Sequence, residues 1–236
     1  MPLSQPELLS LQILGRIEKG TLPEIASLSG LAPSLAQTGL NALEAAGWVA
    51  REATQSKKET VPVWRIRREG LSLALRSWGI PREVSFTRRR EQALSDPTGE
   101  HRRISRLWPA WLQTAWPQVQ IWTGWSEASL PGLPQTPDGL AWGLMDGLET
   151  LFWLEVESGH ASRNETRQKI RRRFTSAVEY VQEKKLHLVF ALLGREWVCE
   201  AARPAFINIP EETAVTIGNW QDVGHLPLTE WGRVEW

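Results

Sequence analysis

The chain has 236 residues, 42% hydrophobic and 23% charged, with 27 Lys+Arg balanced by 27 Asp+Glu. That length supports one large domain or two small ones, and that composition excludes wholesale disorder. No apolar run reaches the roughly 18–20 residues of a membrane helix, the opening Met1-Pro2-Leu3-Ser4-Gln5-Pro6-Glu7 has neither the basic nor the apolar region of a signal peptide, and the single Cys199 excludes an intrachain disulfide and any multi-cysteine zinc cluster. The expected compartment is the cytoplasm, with no membrane partner. The zero net charge conceals a division. Residues 1–106 hold 16 basic and 11 acidic side chains (net +5), and residues 107–236 hold 11 and 16 (net −5). A basic first part is the electrostatic footprint of a nucleic-acid module, although solvated surfaces also carry such an excess.

Leu8, Leu9, Leu11, Leu14 and Ile17 recur at helical spacing, with Gly15 and Gly20 around the end of that segment. Thr21-Leu22-Pro23-Glu24 has the form of a capping box with Pro in the first turn, which predicts a short helix over 24–28 closed by Ser29-Gly30. Pro33 opens a third helix that runs to Ala46 and is stopped by Gly47. Helix, short helix, Gly-bearing turn and longer helix is the helix-turn-helix pattern. On the third helix Leu35, Leu40 and Leu43 form the expected buried stripe. Ser34, Gln37, Thr38 and Asn41 fall on another face at i, i+3, i+4 and i+7. Short hydroxyls and amides without charge are the chemistry that reads base edges in a major groove, whereas an ordinary solvated face more often carries Glu and Lys.

Beyond Gly47, Trp48–Arg51 and Val61–Arg67 are β-type runs joined by the polar segment Gln55-Ser56-Lys57-Lys58-Glu59. Lys57 and Lys58 at the tip are candidates for phosphate contact, and Arg65 and Arg67, alternating with Trp64 and Ile66, are expected on the outward face. A further helix begins near Glu69-Gly70-Leu71 and ends near Trp78. Residues 7–78 thus resemble the winged helix-turn-helix superfamily. The expected organisation is α+β: a winged helix-turn-helix DNA-binding domain at 1–80, a basic linker at 81–100 containing Arg88-Arg89-Arg90, and a second, α/β domain with a mixed sheet at 101–236.

The second domain opens with a helix over 101–114 that places Ile104, Leu107, Trp108, Trp111 and Leu112 on one side. Most of the 14 Trp lie from Trp108 onward in amphipathic contexts, where they supply core area. Leu140–Leu144 reads as a strand, Asp146-Gly147 as a hairpin turn, and Thr150–Glu157 as a second strand. In the second strand Leu151, Trp153, Glu155 and Glu157 share one face, and Phe152, Leu154 and Val156 the other. Two carboxylates side by side on an apolar strand need a cation, a proton or a basic partner. Asp138 and Glu155 together can hold Mg²⁺ or Mn²⁺, which favour oxygen ligands. A long helix over 163–185 has Ile170, Phe174, Ala177, Val178 and Val181 inward and Arg163, Arg167, Lys169, Arg171, Arg172 and Arg173 elsewhere, and Leu186–Leu193 is an apolar run of the central-strand kind.

Pro137-Asp138, seventeen residues before Glu155-Val156-Glu157, resembles the core of PD-(D/E)xK nucleases. A helix-turn-helix followed by a PDG strand, an EVE-type strand with Ser-Gly behind it and a basic helix resembles, more narrowly, the replication-relaxation family of plasmids and other mobile elements, over residues 7–194. The resemblance implies a double-stranded DNA-binding protein that acts as regulator or accessory factor in replication or transfer. It also implies Asp138 and Glu155 as metal ligands and contacts with replication or transfer proteins, while a homodimer is the default expectation for a winged-helix DNA binder. The motif's lysine belongs two residues after Glu155, where this chain has Glu157. That departure leaves two readings: a degenerate nuclease-like domain, or a Mg²⁺- or Mn²⁺-dependent endonuclease or nickase in which Asp138, Glu155, Glu157 and a migrated Lys169 form the catalytic set. Lys169 is equally a simple ion-pair partner of Glu155 or Glu157, and Arg173, one turn on, can do either job.

Other chemistry is thin. His101, His160, His187 and His225 lack metal-ligand spacing, Cys199 reads as a small buried hydrophobe, and there is no P-loop or dinucleotide fingerprint. Residues 195–236 carry mixed strand and turn signals.

Overall fold

A computed structural model describes residues 2–55, 60–80, 87–88, 100–116, 118–126, 128–129, 133, 135–157 and 159–219. The chain divides into two compact units, residues 1–84 with 122–124, and residues 85–121 with 125–236. In the first, the order is α1 (Gln5–Ile17), β1 (Lys19–Thr21), α2 (Leu22–Ser29), α3 (Pro33–Ala45), β2 (Val49–Gln55), β3 (Thr60–Ile66) and α4 (Arg68–Ser77). Two capping boxes start α1 and α2: the Ser4 amide donates to Glu7 Oε2 at 2.6 Å, and the Thr21 amide donates to Glu24 Oε2 at 2.9 Å. The strands form an antiparallel sheet in the order β1-β3-β2, with Lys19 opposite Arg65 and Val49 opposite Ile66.

Strand β1 is not expected from the sequence, where Gly15 and Gly20 read as a helix end. Gly15 is in fact buried inside α1, and the helix stops at Glu18, which adopts a left-handed φ of 65° and turns the chain toward β3. The core of this unit is Leu11, Leu14, Ile17, Ile25, Leu40, Leu43, Trp64 and Leu75, all essentially without exposure. Gly39 lets α3 approach α1, because a Cβ there would lie 2.7 Å from the Pro6 carbonyl oxygen. That approach fixes the buried side of α3 as Ala36, Gly39, Leu40 and Leu43. Leu35 is therefore rotated off the predicted stripe and is 49% exposed.

In the second unit a short β4 (Thr87–Arg88) precedes α5 (Glu100–Ala115), β5 (Val119–Ser126), β6 (Ala128–Ser129), β7 (Gly139–Met145), β8 (Leu148–Glu157), α6 (Arg163–Lys184), β9 (His187–Gly194), α7 (Glu196–Ala202), a 3-10 turn at Arg203–Ala205, and β10 (Thr213–Asn219). β4 and β6 pair with each other. The main sheet has the order β10-β9-β8-β7-β5, with β7 antiparallel to β8, and β8, β9 and β10 mutually parallel. The fold is thus mixed α+β with a mixed five-stranded sheet. Asp146 and Gly147 make the expected two-residue hairpin turn, both with positive φ (52° and 80°), as a type I′ turn requires.

β8 lies at the centre, buried on both faces from Leu151 to Glu157. Its Phe152, Leu154 and Val156 pack with Ile104, Trp108 and Leu112 of α5. On the opposite face Trp153 stacks on Phe190 at 6.4 Å, and Phe174 of α6 meets both Phe190 and Phe206 edge-on. The two-faced reading of this strand therefore holds, as does the buried Leu186–Leu193 run, which becomes β9. The tail that sequence signals leave unresolved supplies α7, the 3-10 turn and edge strand β10 up to residue 219. Among the described residues no helix is long and apolar enough to cross a membrane.

Candidate functional site

The outer face of α3 carries the residues expected on it. Ser34, Thr38 and Asn41 are exposed, and Gln37 is half-buried. They are organised along the helix: Gln37 Nε2 donates to Asn41 Oδ1 at 2.7 Å, and Thr38 Oγ1 donates to the Ser34 carbonyl at 2.9 Å. The Gln37–Asn41 bond orders both amides and still leaves Gln37 Oε1 as acceptor and the Asn41 amide as donor. Leu35 joins this face as an exposed apolar side chain, which sequence periodicity assigned to the core.

The two arginines of β3 and its exit separate. Arg65 is partly buried and pairs with Glu52 across the hairpin at 3.3 Å, so its charge is engaged within the sheet. Arg67 follows β3, is exposed, and donates to the Gly47 carbonyl at 3.4 Å. Lys57 and Lys58 lie outside the described residues.

In the second unit the sheet brings Asp138, just ahead of β7, beside Glu155 and Glu157 at the end of β8. Pro137-Asp138-Gly139 has a local reason: a Cβ at Gly139 would sit 2.5 Å from Trp108 Nε1 and 3.1 Å from the Ser105 carbonyl oxygen, so only glycine lets the strand start under α5. Asp138 Oδ2 accepts from the Val156 amide at 2.8 Å, which ties the aspartate to the neighbouring strand between the two glutamates. Glu155 Oε1 accepts from Trp153 Nε1 at 2.7 Å, as expected for residues two apart on one face of a strand, and Oε2 accepts from Arg173. Arg173 also donates to the Thr136 carbonyl at 3.2 Å. Glu157 Oε2 pairs with Lys169, and its Oε1 accepts from the Gly159 amide at 3.2 Å.

Helix α6 thus answers the strand's two glutamates with two cations one turn apart. His101 of α5 completes the cluster, with Nε2 3.6 Å from Asp138 Oδ2. Sequence spacing gave His101 no role, because its partner lies far along the chain. Arg173 and Lys169 are both ion-pair candidates from the sequence, and the structure divides the carboxylates between them.

The electrostatics separate the two inner acids. Burial alone would raise the Asp138 carboxyl, but His101, the Val156 amide and the field of Arg173 outweigh it and hold the group below the usual aspartate range. Burial and the neighbouring Asp138 charge push the Glu155 carboxyl up to about 8, against the pull of Arg173 and the Trp153 indole. The two inner acids thus titrate as a coupled pair in which the glutamate gives up its proton after the aspartate.

This arrangement does not fit a divalent cation as it stands. Both oxygens of Glu155, both of Glu157 and Oδ2 of Asp138 are committed to the chain's own donors. Among the described residues no group of three or more His, Cys, Asp or Glu is set to hold a metal ion. The cations that balance the carboxylates are Arg173 and Lys169.

His160 is exposed, and His187 is half-buried at the start of β9. Cys199 is buried, its thiol pushed up to about 11 by burial, which suits the hydrophobe expected and not a nucleophile. No family model matches this chain, and neither the curated proteins nor the solved structures compared with it give a match.

Proposed function

We propose that the chain binds double-stranded DNA through the outer face of α3, as a regulator or accessory factor in the replication or transfer of a plasmid or other mobile element. In this reading the α/β unit is a nuclease-like domain whose carboxylate centre is closed by its own cations. The observation that carries the proposal is the ordered, uncharged face of Ser34, Leu35, Gln37, Thr38 and Asn41 on α3. The joined amides offer an acceptor and a donor, the complement of the adenine edge, and Leu35 offers an apolar contact for a thymine methyl. The element order of the first unit, with three helices, a strand between the first two, a hairpin and a last helix, supports a winged helix-turn-helix. In the second unit, a helix, three strands of the main sheet, a helix and a parallel strand support the PD-(D/E)xK core. The mobile-element setting rests on the resemblance of the motifs.

The test is selection of bound sequences from a random duplex library, followed by affinity measurements at fixed salt. Gln37→Ala and Asn41→Ala are each expected to weaken the selected site about tenfold, in line with the roughly 1–3 kcal/mol of a good amide–base pair, and to leave random duplex affinity nearly unchanged. Equal losses on selected and random DNA would remove α3 as the reading element. The alternative, an endonuclease using Asp138, Glu155 and Lys169 with Mg²⁺ or Mn²⁺, requires Arg173 to release Glu155 and Lys169 to release Glu157. It predicts metal-dependent nicking that Asp138→Ala abolishes.

A further inference from the structure

We infer that the exposed face of the first half of α6 is a second contact for duplex DNA, made to the phosphate backbone and independent of sequence. The inference rests on the proposed DNA binding and adds a surface in the α/β unit. Arg163, Arg167 and Arg171 stand four residues apart, and Asn164, Gln168 and Arg172 form a parallel row beside them; all six are exposed. The other two cations of this stretch, Lys169 and Arg173, turn inward to Glu157 and Glu155. Its single acid, Glu165, is occupied in the helix cap with Ser162.

A helix face that merely meets water gains by alternating its charges, because opposite charges four apart attract and like charges repel. The later part of α6 carries both signs on its exposed side, with Glu179, Glu183 and Lys184 there and Lys184 paired to Glu183 at 2.8 Å. The exposed rows of the first three turns carry one sign, with Arg163, Arg167 and Arg171 four residues apart. Arg163 also stands at the positive end of the helix dipole, where a cation is disfavoured and an anion is welcome. Both penalties reverse when a polyanion lies along the row.

The existing partners of these arginines are easily exchanged. Arg163 reaches Glu200 at 3.5 Å between side chains that are 68% and 57% exposed, and Arg167 bonds the exposed Asn164 beside it. The guanidinium fork suits phosphate oxygens, and amides such as Asn164 and Gln168 supply further phosphate bonds.

The absence of stacking platforms on α6 favours a duplex. From Arg163 to Arg171 the helix rises about 12 Å, a reach that lets the three arginines meet neighbouring phosphates of one backbone. A single strand would call for exposed aromatic platforms, whereas the aromatic residues of α6, Phe174 and Tyr180, are buried.

The test uses the full chain and a duplex of unrelated sequence, with affinity followed against salt concentration. In the Arg163→Gln/Arg167→Gln/Arg171→Gln variant, the slope of log K against log salt is expected to flatten by about 2 to 3, from about 0.9 per lost phosphate contact. A Lys184→Gln/Lys185→Gln control is expected to keep the original slope, and far-UV melting checks that both variants fold. A triple variant with the original slope and affinity overturns the inference while the α3 reading stands. A loss seen only with single-stranded DNA or RNA overturns the duplex assignment. Absence of any duplex binding at low salt overturns both the inference and the function on which it rests.

Discussion

Replacing Glu155 by Gln tests the electrostatic account of the carboxylate centre. Glu155 is 2% exposed, and its carboxyl is pushed from an ordinary value of 4.5 to about 8 by burial and by the Asp138 charge. A raised carboxyl means that the folded state holds a proton that the unfolded chain releases. Its stabilising contribution is therefore complete below pH 4.5, declines as pH rises, and is gone above about pH 8. At about 1.4 kcal/mol per unit, a shift of this size corresponds to roughly 5 kcal/mol across that window. Glu155→Gln cannot lose such a proton. The amide also turns its NH₂ toward either the Trp153 indole or Arg173, a fixed cost of about 1–3 kcal/mol that does not change with pH. Urea unfolding followed by Trp fluorescence between pH 5 and 9 separates the two effects. The variant is expected to start less stable than the parent and to gain on it by about 1.4 kcal/mol per pH unit up to about pH 8. The lowered Asp138 carboxyl loses its own contribution only in acid, below this window. Parallel curves from pH 5 to 9 would refute the reasoning. They would mean that Glu155 is ionised throughout and is balanced by Arg173 alone.

At pH 9, where Glu155 is ionised, Arg173→Met strands its charge and leaves the Thr136 carbonyl without its donor, so a loss of about 3–5 kcal/mol is expected in the same assay. Adding Glu155→Leu should restore most of it, because a buried pair replaced by apolar side chains is often neutral; a double variant as weak as the sum of the singles would contradict this coupling. Gly139→Ala drives a Cβ against Trp108 Nε1 and the Ser105 carbonyl oxygen and should cost about 1–3 kcal/mol, read as a lowered melting temperature. An unchanged melting temperature would show that α5 yields at that point.

Local signals carried most of the architecture. Thr21 and Glu24 three positions apart in one turn, Asp146-Gly147 between two apolar runs, and the alternation of Phe152, Leu154 and Val156 against Trp153, Glu155 and Glu157 each state a conformation within a few residues, and each appears in the fold. What failed to show depends on partners far along the chain. β1 exists because β3 pairs with it, and Leu35 leaves the core because Gly39 settles α3 against Pro6. His101 reaches the carboxylates only once α5 lies over the start of β7. β10 is a strand because the parallel edge of β9 accepts it. The same distinction holds at the candidate centre. The pairing of Glu155 with Glu157 announced a charge to be balanced, and Lys169 and Arg173 were visible as candidates. Their assignment, Lys169 to Glu157 and Arg173 to Glu155, follows from how α6 lies on the sheet. Glu157, two residues after Glu155, is the sequence mark of that arrangement, since it needs a cation of its own, which Lys169 supplies.

The most direct test of the account incubates the purified chain with supercoiled plasmid in EDTA, Mg²⁺ or Mn²⁺ and reads retardation and nicking on the same gel, with Asp138→Ala and Glu155→Ala alongside. The account predicts retardation that is the same in all three conditions, with the plasmid left supercoiled. Nicking that requires Mg²⁺ or Mn²⁺ and disappears in both variants would contradict it, and would show that Arg173 and Lys169 yield the carboxylates to a metal.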